Sequence, residues 1–134
     1  MNNCGSGAYF SFYSTVYFQM RDSGIPVADF LGGTMLAPGP VSGTETLQLG
    51  GIDTGGGVKA ISLNVNNVLT RYNIYSCSDP GMNPCHTDEN TTYSLNTAGA
   101  NWVSGLNKLT VCVQDLAESG TSPNVKCEDR WVYR

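Results

Sequence analysis

Residues 58–74, with the sequence VKAISLNVNNVLTRYNI, contain the pattern that decides the fold of this chain. The apolar residues Ile61, Leu63 and Val65 alternate with more polar neighbours, as expected for a β-strand with one buried face. The pair Asn66-Asn67 follows, and such a pair is typical of the two-residue turn between antiparallel strands. The segment therefore predicts a β-hairpin whose first strand faces a hydrophobic core.

Further strand patterns follow at the short spacing that is typical of an all-β sandwich. Leu47 and Leu49 share one face of a strand predicted over residues 44–52, and Asp53-Thr-Gly-Gly-Gly57 then signals a turn. Weaker or shorter strands are predicted over residues 33–36, 92–95, 109–113 and 124–133, the last two as a hairpin. The sequence thus predicts an all-β chain that folds as an antiparallel sandwich of about seven strands.

Composition agrees with a small all-β domain. The 134 residues suit one domain, only 13% of them are charged, and strong helix formers are scarce, which argues against a helical bundle. The formal net charge is −4 at pH 7 without a basic stripe, so nucleic acid is not an expected partner. No apolar run reaches the roughly 18 residues that span a membrane, so membrane insertion is not expected either.

Residues 1–23 are predicted to form a long strand outside the sandwich domain, which spans residues 24–134. From Phe10 to Met20 an apolar face alternates with a second face, on which Tyr9, Tyr13 and Tyr17 form a stripe. Gly24-Ile-Pro26 ends this pattern.

A strand of that length needs cover for its backbone and for its apolar face. It either pairs along an edge of its own sandwich or crosses to a neighbouring copy of the chain. Exchange is favoured, because Gly24-Ile-Pro26 offers a hinge and an unpaired Cys4 could lock the exchanged strand. The sequence therefore predicts a homo-oligomer or filament, with neighbouring domains of a longer chain as the alternative cover.

The five cysteines predict two local disulfides, Cys77–Cys85 and Cys112–Cys127, with Cys4 left free or available for an intermolecular bond. Cys77 and Cys85 enclose a short loop with two prolines, and Cys112 and Cys127 lie opposite each other in the predicted hairpin. The competing pair, Cys77–Cys112, is disfavoured because the alternation of its strand points Cys112 outward. Disulfides place the chain in an oxidising compartment. Its last residues stop inside a predicted strand, which favours a segment of a longer protein.

The candidates for metal binding and catalysis are few. Asp53 and Asp115 each end a strand before a glycine-containing turn, so they could join Asp88 or Glu89 in a calcium site or simply accept hydrogen bonds from their own turns. The carboxylates are scattered along the chain, so no metal and no cofactor are predicted. His86 is the only histidine, and no nucleophile–base pair accompanies it, so the chain is not expected to be an enzyme.

Aromatic residues give an alternative function. Trp102 and Trp131 fit core or edge packing, but with the tyrosine stripe they could stack on sugar rings. A carbohydrate-binding module is therefore the alternative to a purely structural one, with a glycan as its partner.

A set of short motifs in fixed order resembles the Ig-like β-sandwich modules of large secreted and cell-wall-associated bacterial proteins. The resemblance covers roughly residues 22–132 and departs from the usual Asp-x-Ala-Gly-Asn ending of the family at Asp115-Leu-Ala-Glu-Ser-Gly120. The motifs are Asp22-x-Gly-Ile-Pro26, Gly32-Gly33, Val41-Ser-Gly43, Asp53-Thr-Gly-Gly-Gly-Val58, Ile61-x-Leu-x-Val-Asn66, Cys77, Pro84-Cys85, Gly105-Leu-Asn-x-Leu-Thr-Val-x-Val-x-Asp115 and Pro123-Asn124.

The resemblance implies an Ig-like sandwich in which the Asp-x-x-Gly-Gly-Val element turns the chain between consecutive strands. It implies a spacer, adhesion or recognition unit and no catalytic residue. Together with the disulfides, it leads us to expect a non-catalytic structural or adhesive module, secreted and located at a bacterial cell surface.

Overall fold

The computed structural model describes residues 22–77, 85–116 and 122–134, and these form an Ig-like antiparallel β-sandwich. The prediction of an all-β sandwich with seven strands is confirmed. The predicted N-terminal strand and its exchange, with Cys4, Tyr9, Tyr13 and Tyr17, lie outside the described residues. The strands are β1 (Val27–Gly32), β2 (Thr44–Ile52), β3 (Val58–Val65), β4 (Val68–Ile74), β5 (Asp88–Asn96), β6 (Leu106–Asp115) and β7 (Val125–Tyr133).

The strands divide into two sheets that face each other. One sheet has the order β1-β2-β5 and the other has the order β4-β3-β6-β7. All neighbouring strands within each sheet are antiparallel. The chain changes sheets between β2 and β3, through the turn Asp53–Gly57, and this crossover sets the position of the site described below.

The hydrophobic core is formed by the inward faces of both sheets. Burial alternates strictly along β6, where Leu109, Val111 and Val113 are buried and the intervening residues are partly exposed. The predicted inward face of β3, with Ile61, Leu63 and Val65, is likewise fully buried. Removing these side chains from water is the main driving force for closing the two sheets, at about 1.5–3 kcal/mol for each large side chain. The remaining buried core residues are Ala28, Met35, Val41, Leu47, Leu49, Val58, Leu95, Trp102 and Val132.

The predicted hairpin at Asn66-Asn67 is confirmed. Both asparagines have positive φ, 51° and 68°, which is the backbone conformation that a two-residue hairpin turn requires. The side chain of Asn66 also reaches out of the turn, since its Nδ2 donates to the carbonyl of Asn101 and its Oδ1 accepts from the backbone N–H of Lys108, at 2.8 and 2.9 Å. The turn is therefore anchored to β6 as well as closing the hairpin.

The polar side chain of Asn107 is fully buried inside the sandwich. Its Oδ1 accepts hydrogen bonds from the backbone N–H of Val103 and from Nδ2 of Asn66, each at 2.8 Å. Its Nδ2 donates to the carbonyls of Val103 and Gly105, at 2.8 and 2.9 Å. All four bonding positions of this amide are thus used, and they tie the loop before β6 to the β3–β4 turn.

Both predicted disulfides are present. Cys112 and Cys127 are direct register partners on β6 and β7, and Cys77 is bonded to Cys85 eight residues later. Cys112 points away from the core, as its position in the alternating strand predicted. Two disulfides fit an oxidising environment.

The structure differs from the sequence prediction in the type of one element, in the length of some strands and in one strand that was missed. Residues 34–36 form a single 3-10 turn instead of a strand, and Met35 within it is fully buried. The strand predicted over 92–95 extends over Asp88–Asn96, because its whole length pairs with β2. The first strand of the sandwich, Val27–Gly32, was not predicted, because only its residue Ala28 is buried and its apolar pattern is correspondingly weak.

Candidate functional site

Three aspartates meet at one end of the sandwich. Asp22 precedes β1, Asp53 follows β2 and Asp115 is the last residue of β6. Each offers a carboxylate oxygen, and these three oxygens lie within 4.8 Å of one another. The site therefore combines three parts of the chain that are far apart in sequence, and we call these residues the aspartate cluster.

Asp53 is held by the turn that crosses between the sheets. Its backbone N–H donates to the carbonyl of Thr87 at 2.8 Å, and its Oδ1 accepts a 3.3 Å hydrogen bond from the N–H of Gly55. Gly57 closes the same turn with φ of 81°, and a Cβ there would overlap the backbone of Cys85. The close approach of two backbone segments thus explains why this position is a glycine.

Asp115 is held from the other side, by the start of β7. Asn124 donates to it twice, from its backbone N–H to Oδ1 at 2.7 Å and from Nδ2 to Oδ2 at 2.6 Å. Only 1% of Asp115 is exposed. Burial raises the pKa of Asp115, the hydrogen bonds from Asn124 oppose that shift, and the negative charges of Asp53 and Asp22 raise the pKa further.

Asp22 completes the cluster from the segment that leads into β1. Its Oδ1 accepts from the N–H of Gly24 at 2.7 Å, and its Oδ2 accepts from the N–H of Gly56 at 2.5 Å. A Cβ on Gly55 would overlap the Asp22 carboxylate, so the glycines of the turn leave the space that this side chain occupies. The lead segment is thereby bound to the β2–β3 turn.

In the described part of the chain, Oδ2 of Asp53 is the atom of the cluster that lacks a hydrogen bond. Asp53 is only 3% exposed, and its Oδ2 is buried without a hydrogen-bond partner among the described residues. The two ion pairs in the described ranges, His86–Glu89 and Lys108–Asp129, involve neither Asp53 nor Asp115. Buried carboxylates are normally paired or bind a cation, and a group of carboxylate oxygens at this spacing can bind a hard cation.

The carboxylates are scattered along the chain, but the fold brings three of them together, contrary to what their spacing in the sequence suggested. The structure brings Asp53 and Asp115 together, as the calcium alternative required, but neither Asp88 nor Glu89 belongs to the group. Both residues lie in β5, and Glu89 accepts from Nδ1 of His86 at 3.0 Å. The third member, Asp22, was missed as a candidate, although its Asp-x-Gly sequence is a turn signal directly before the sandwich.

The two tryptophans have different environments. Trp102 is 7% exposed and packs in the core, so its candidacy as an exposed platform is wrong. Trp131 is 58% exposed on the outer face of the four-stranded sheet. Leu106 and Tyr133, which are register partners, are exposed beside it on the same face. We call Leu106, Trp131 and Tyr133 the aromatic face.

Comparison of the chain with protein-family models, curated proteins and solved structures finds no significant match. Within the described ranges, the structure contains no helix long and apolar enough to cross a membrane.

Proposed function

We propose that this chain is a non-catalytic structural and adhesive β-sandwich module of a secreted protein at a bacterial cell surface. The observation that carries the proposal is the aromatic face, which presents Leu106, Trp131 and Tyr133 to solvent on a sheet whose inner face is core. Exposed apolar groups of this kind mark contact surfaces for a partner. In this function the outer face of the four-stranded sheet contacts a partner, and no residue has a catalytic role.

The two disulfides support an extracellular setting for the module. Cys112–Cys127 joins β6 and β7 on the same outer face as Trp131, four residues further from it along β7, and Cys77–Cys85 anchors the segment before β5. Cross-links stabilise mainly by restricting the unfolded chain, at about 2–3 kcal/mol for loops of this length. The oxidising environment outside the cell keeps these disulfides formed, so a secreted module retains this stabilisation.

A carbohydrate-binding module is the second candidate, and the exposure of Trp131 next to Tyr133 favours it. A flat aromatic ring on a rigid strand can stack on the apolar face of a sugar. In this reading the same aromatic face binds a glycan instead of a protein surface. Trp102 is buried and takes no part.

Calorimetric titration of the full oxidised chain with a panel of cell-wall glycans separates the two candidates. A structural and adhesive module gives no saturable heat with any glycan. Saturable binding that the variant Trp131→Ala loses, and that the control Tyr72→Ala on β4 at the opposite edge of the sheet keeps, would replace our proposal by the carbohydrate-binding one. Tyr72 is a suitable control because it is also an exposed aromatic residue of this sheet.

Self-association through residues 1–23 is part of the proposal and rests on the sequence alone. Light scattering of the full chain is compared with that of a chain that starts at Asp22, both under oxidising conditions. An oligomer is expected only for the full chain. A full chain that remains monomeric at high concentration contradicts strand exchange.

A further inference from the structure

We propose that Asp22, Asp53 and Asp115 form a calcium-binding site at the end of the sandwich where β1 begins and β2 and β6 end. The site goes beyond the structural and adhesive function proposed above. Three features support it: the spacing of the three carboxylates, the buried unpartnered oxygen of Asp53 and the oxygen atoms that surround them.

The spacing of the carboxylates suits one cation of the size of calcium. Calcium binds oxygens at about 2.3–2.6 Å, so two ligands on opposite sides of the ion lie roughly 5 Å apart. The three oxygens of the aspartate cluster all lie within 4.8 Å of one another. They can therefore contact a common ion without rearrangement of the strands that hold them.

The second observation is independent of the spacing. Oδ1 of Asp53 faces the N–H of Gly55, whereas Oδ2 is buried and accepts no hydrogen bond from the described residues. Leaving a carboxylate oxygen unpartnered inside a protein is costly, and the neighbouring charge of Asp115 makes it more so. A cation bound between the two carboxylates compensates both penalties.

Other oxygens are available to complete the coordination. A Cβ built on Gly56 would lie 3.3 Å from Oδ2 of Asp22 and 3.6 Å from the carbonyl oxygen of Leu116, so both oxygens lie beside this glycine. Calcium takes six to eight ligands and accepts carboxylates in one- or two-oxygen mode, carbonyls and water. Three aspartates, some of them bound through both oxygens, and water satisfy that number, and the Leu116 carbonyl beside Gly56 would be a further ligand.

The donor atoms favour calcium over other common metals. Zinc prefers nitrogen and sulfur ligands, but His86 contacts Glu89 in β5, and the four described cysteines are in disulfides. Magnesium requires a near-ideal octahedron at shorter distances and keeps most of its water. A site that consists of carboxylates from three separate parts of the chain, without a preformed octahedron, fits the larger and more adaptable ion.

The position of Asp22 gives the site a mechanical consequence. Asp22 lies in the lead segment before β1, and its side chain already accepts hydrogen bonds from Gly24 and from Gly56 of the β2–β3 turn. A calcium ion shared with Asp53 and Asp115 fastens this lead segment to both sheets. Calcium thereby fixes the direction in which the chain enters the sandwich.

The test uses the full oxidised chain after removal of divalent ions. Calcium and magnesium chloride are titrated in separate calorimetric experiments, and thermal unfolding is recorded with 10 mM calcium and with EDTA. We expect one calcium per chain with a dissociation constant of about 1 mM or lower, as in extracellular sites. Mass action then raises the melting temperature by about 3–6 °C in calcium. No binding heat together with an unchanged melting temperature would overturn the proposal, and equal affinity for magnesium would overturn the choice of calcium.

Isosteric variants locate the site. Asp53→Asn and, separately, Asp22→Asn are expected to weaken calcium binding at least tenfold and to remove its effect on the melting temperature. The control Asp88→Asn, an exposed aspartate of β5 outside the cluster, keeps both. Asp22 is only partly buried, so Asp22→Asn reports on the site even if Asp53→Asn fails to fold. Undiminished calcium binding by folded Asp22→Asn would show that the ion binds elsewhere and would contradict the proposal.

Discussion

Replacing Asn107 by alanine is expected to lower the free energy of unfolding by about 3 kcal/mol. The amide is fully buried and forms four hydrogen bonds, two of which go to the backbone N–H and C=O of Val103. In the variant, the N–H and C=O of Val103 lose the Asn107 side chain as their hydrogen-bond partner, and each loss lowers the free energy of unfolding by about 1 kcal/mol. The lost bond to Asn66 and the small cavity add about 1 kcal/mol more. Gly105 still accepts from Arg134, so its carbonyl stays paired.

Urea unfolding with the disulfides intact measures this cost. With a urea dependence of about 1.5 kcal/mol per M, the unfolding midpoint should fall by about 2 M. Asn90→Ala is the matched control, since Asn90 is an exposed residue of β5 and its replacement should change the free energy of unfolding by less than about 0.5 kcal/mol. A loss below about 1 kcal/mol for Asn107→Ala would refute the reasoning, because the Val103 groups would then have found other partners at little cost.

Three further predictions concern stability. Trp102→Ala should lower the free energy of unfolding by about 3–5 kcal/mol, because the Trp102 side chain is in the core. Trp131→Ala should lower it by less than about 1 kcal/mol, because Trp131 is exposed, and chemical denaturation compares the two variants. Joint replacement of Cys112 and Cys127 by serine should cost about 3 kcal/mol in the same assay, and an unchanged midpoint would contradict the chain-entropy argument. Gly57→Ala should lower the free energy of unfolding by at least about 2 kcal/mol, because the φ of 81° at this position is unfavourable for alanine and the added Cβ meets the carbonyl of Cys85. A variant as stable as the wild type would contradict the described turn.

The sequence predicted the elements whose signals are local. Alternation in β3 and β6 marks their buried faces, and the Asn66-Asn67 pair marks the turn between β3 and β4. The Cys112–Cys127 bond followed from the same alternation, because opposed positions of one hairpin share a face. These features depend on a few consecutive residues, which is why they could be identified without the fold.

The aspartate cluster could not be predicted in the same way. Its members meet only because β2, β6 and the segment before β1 end at the same side of the sandwich, which is a property of the strand order. Asp53 and Asp115 had a recognisable position at strand ends, whereas Asp22 is brought in by hydrogen bonds to Gly24 and to Gly56, far along the chain. The different environments of Trp102 and Trp131 could not be told apart for a related reason: core or edge packing was favoured for both, and the burial of Trp102 depends on the loop that Asn107 holds.

A crystal structure of the full oxidised chain grown with calcium chloride tests the calcium site most directly. The account predicts one strong density peak among Asp22, Asp53 and Asp115, with carboxylate oxygens at about 2.3–2.6 Å and Oδ2 of Asp53 among its ligands. An anomalous signal from the same peak would identify the ion as calcium. A cluster that holds only water, or in which a basic side chain neutralises Asp53, would contradict it.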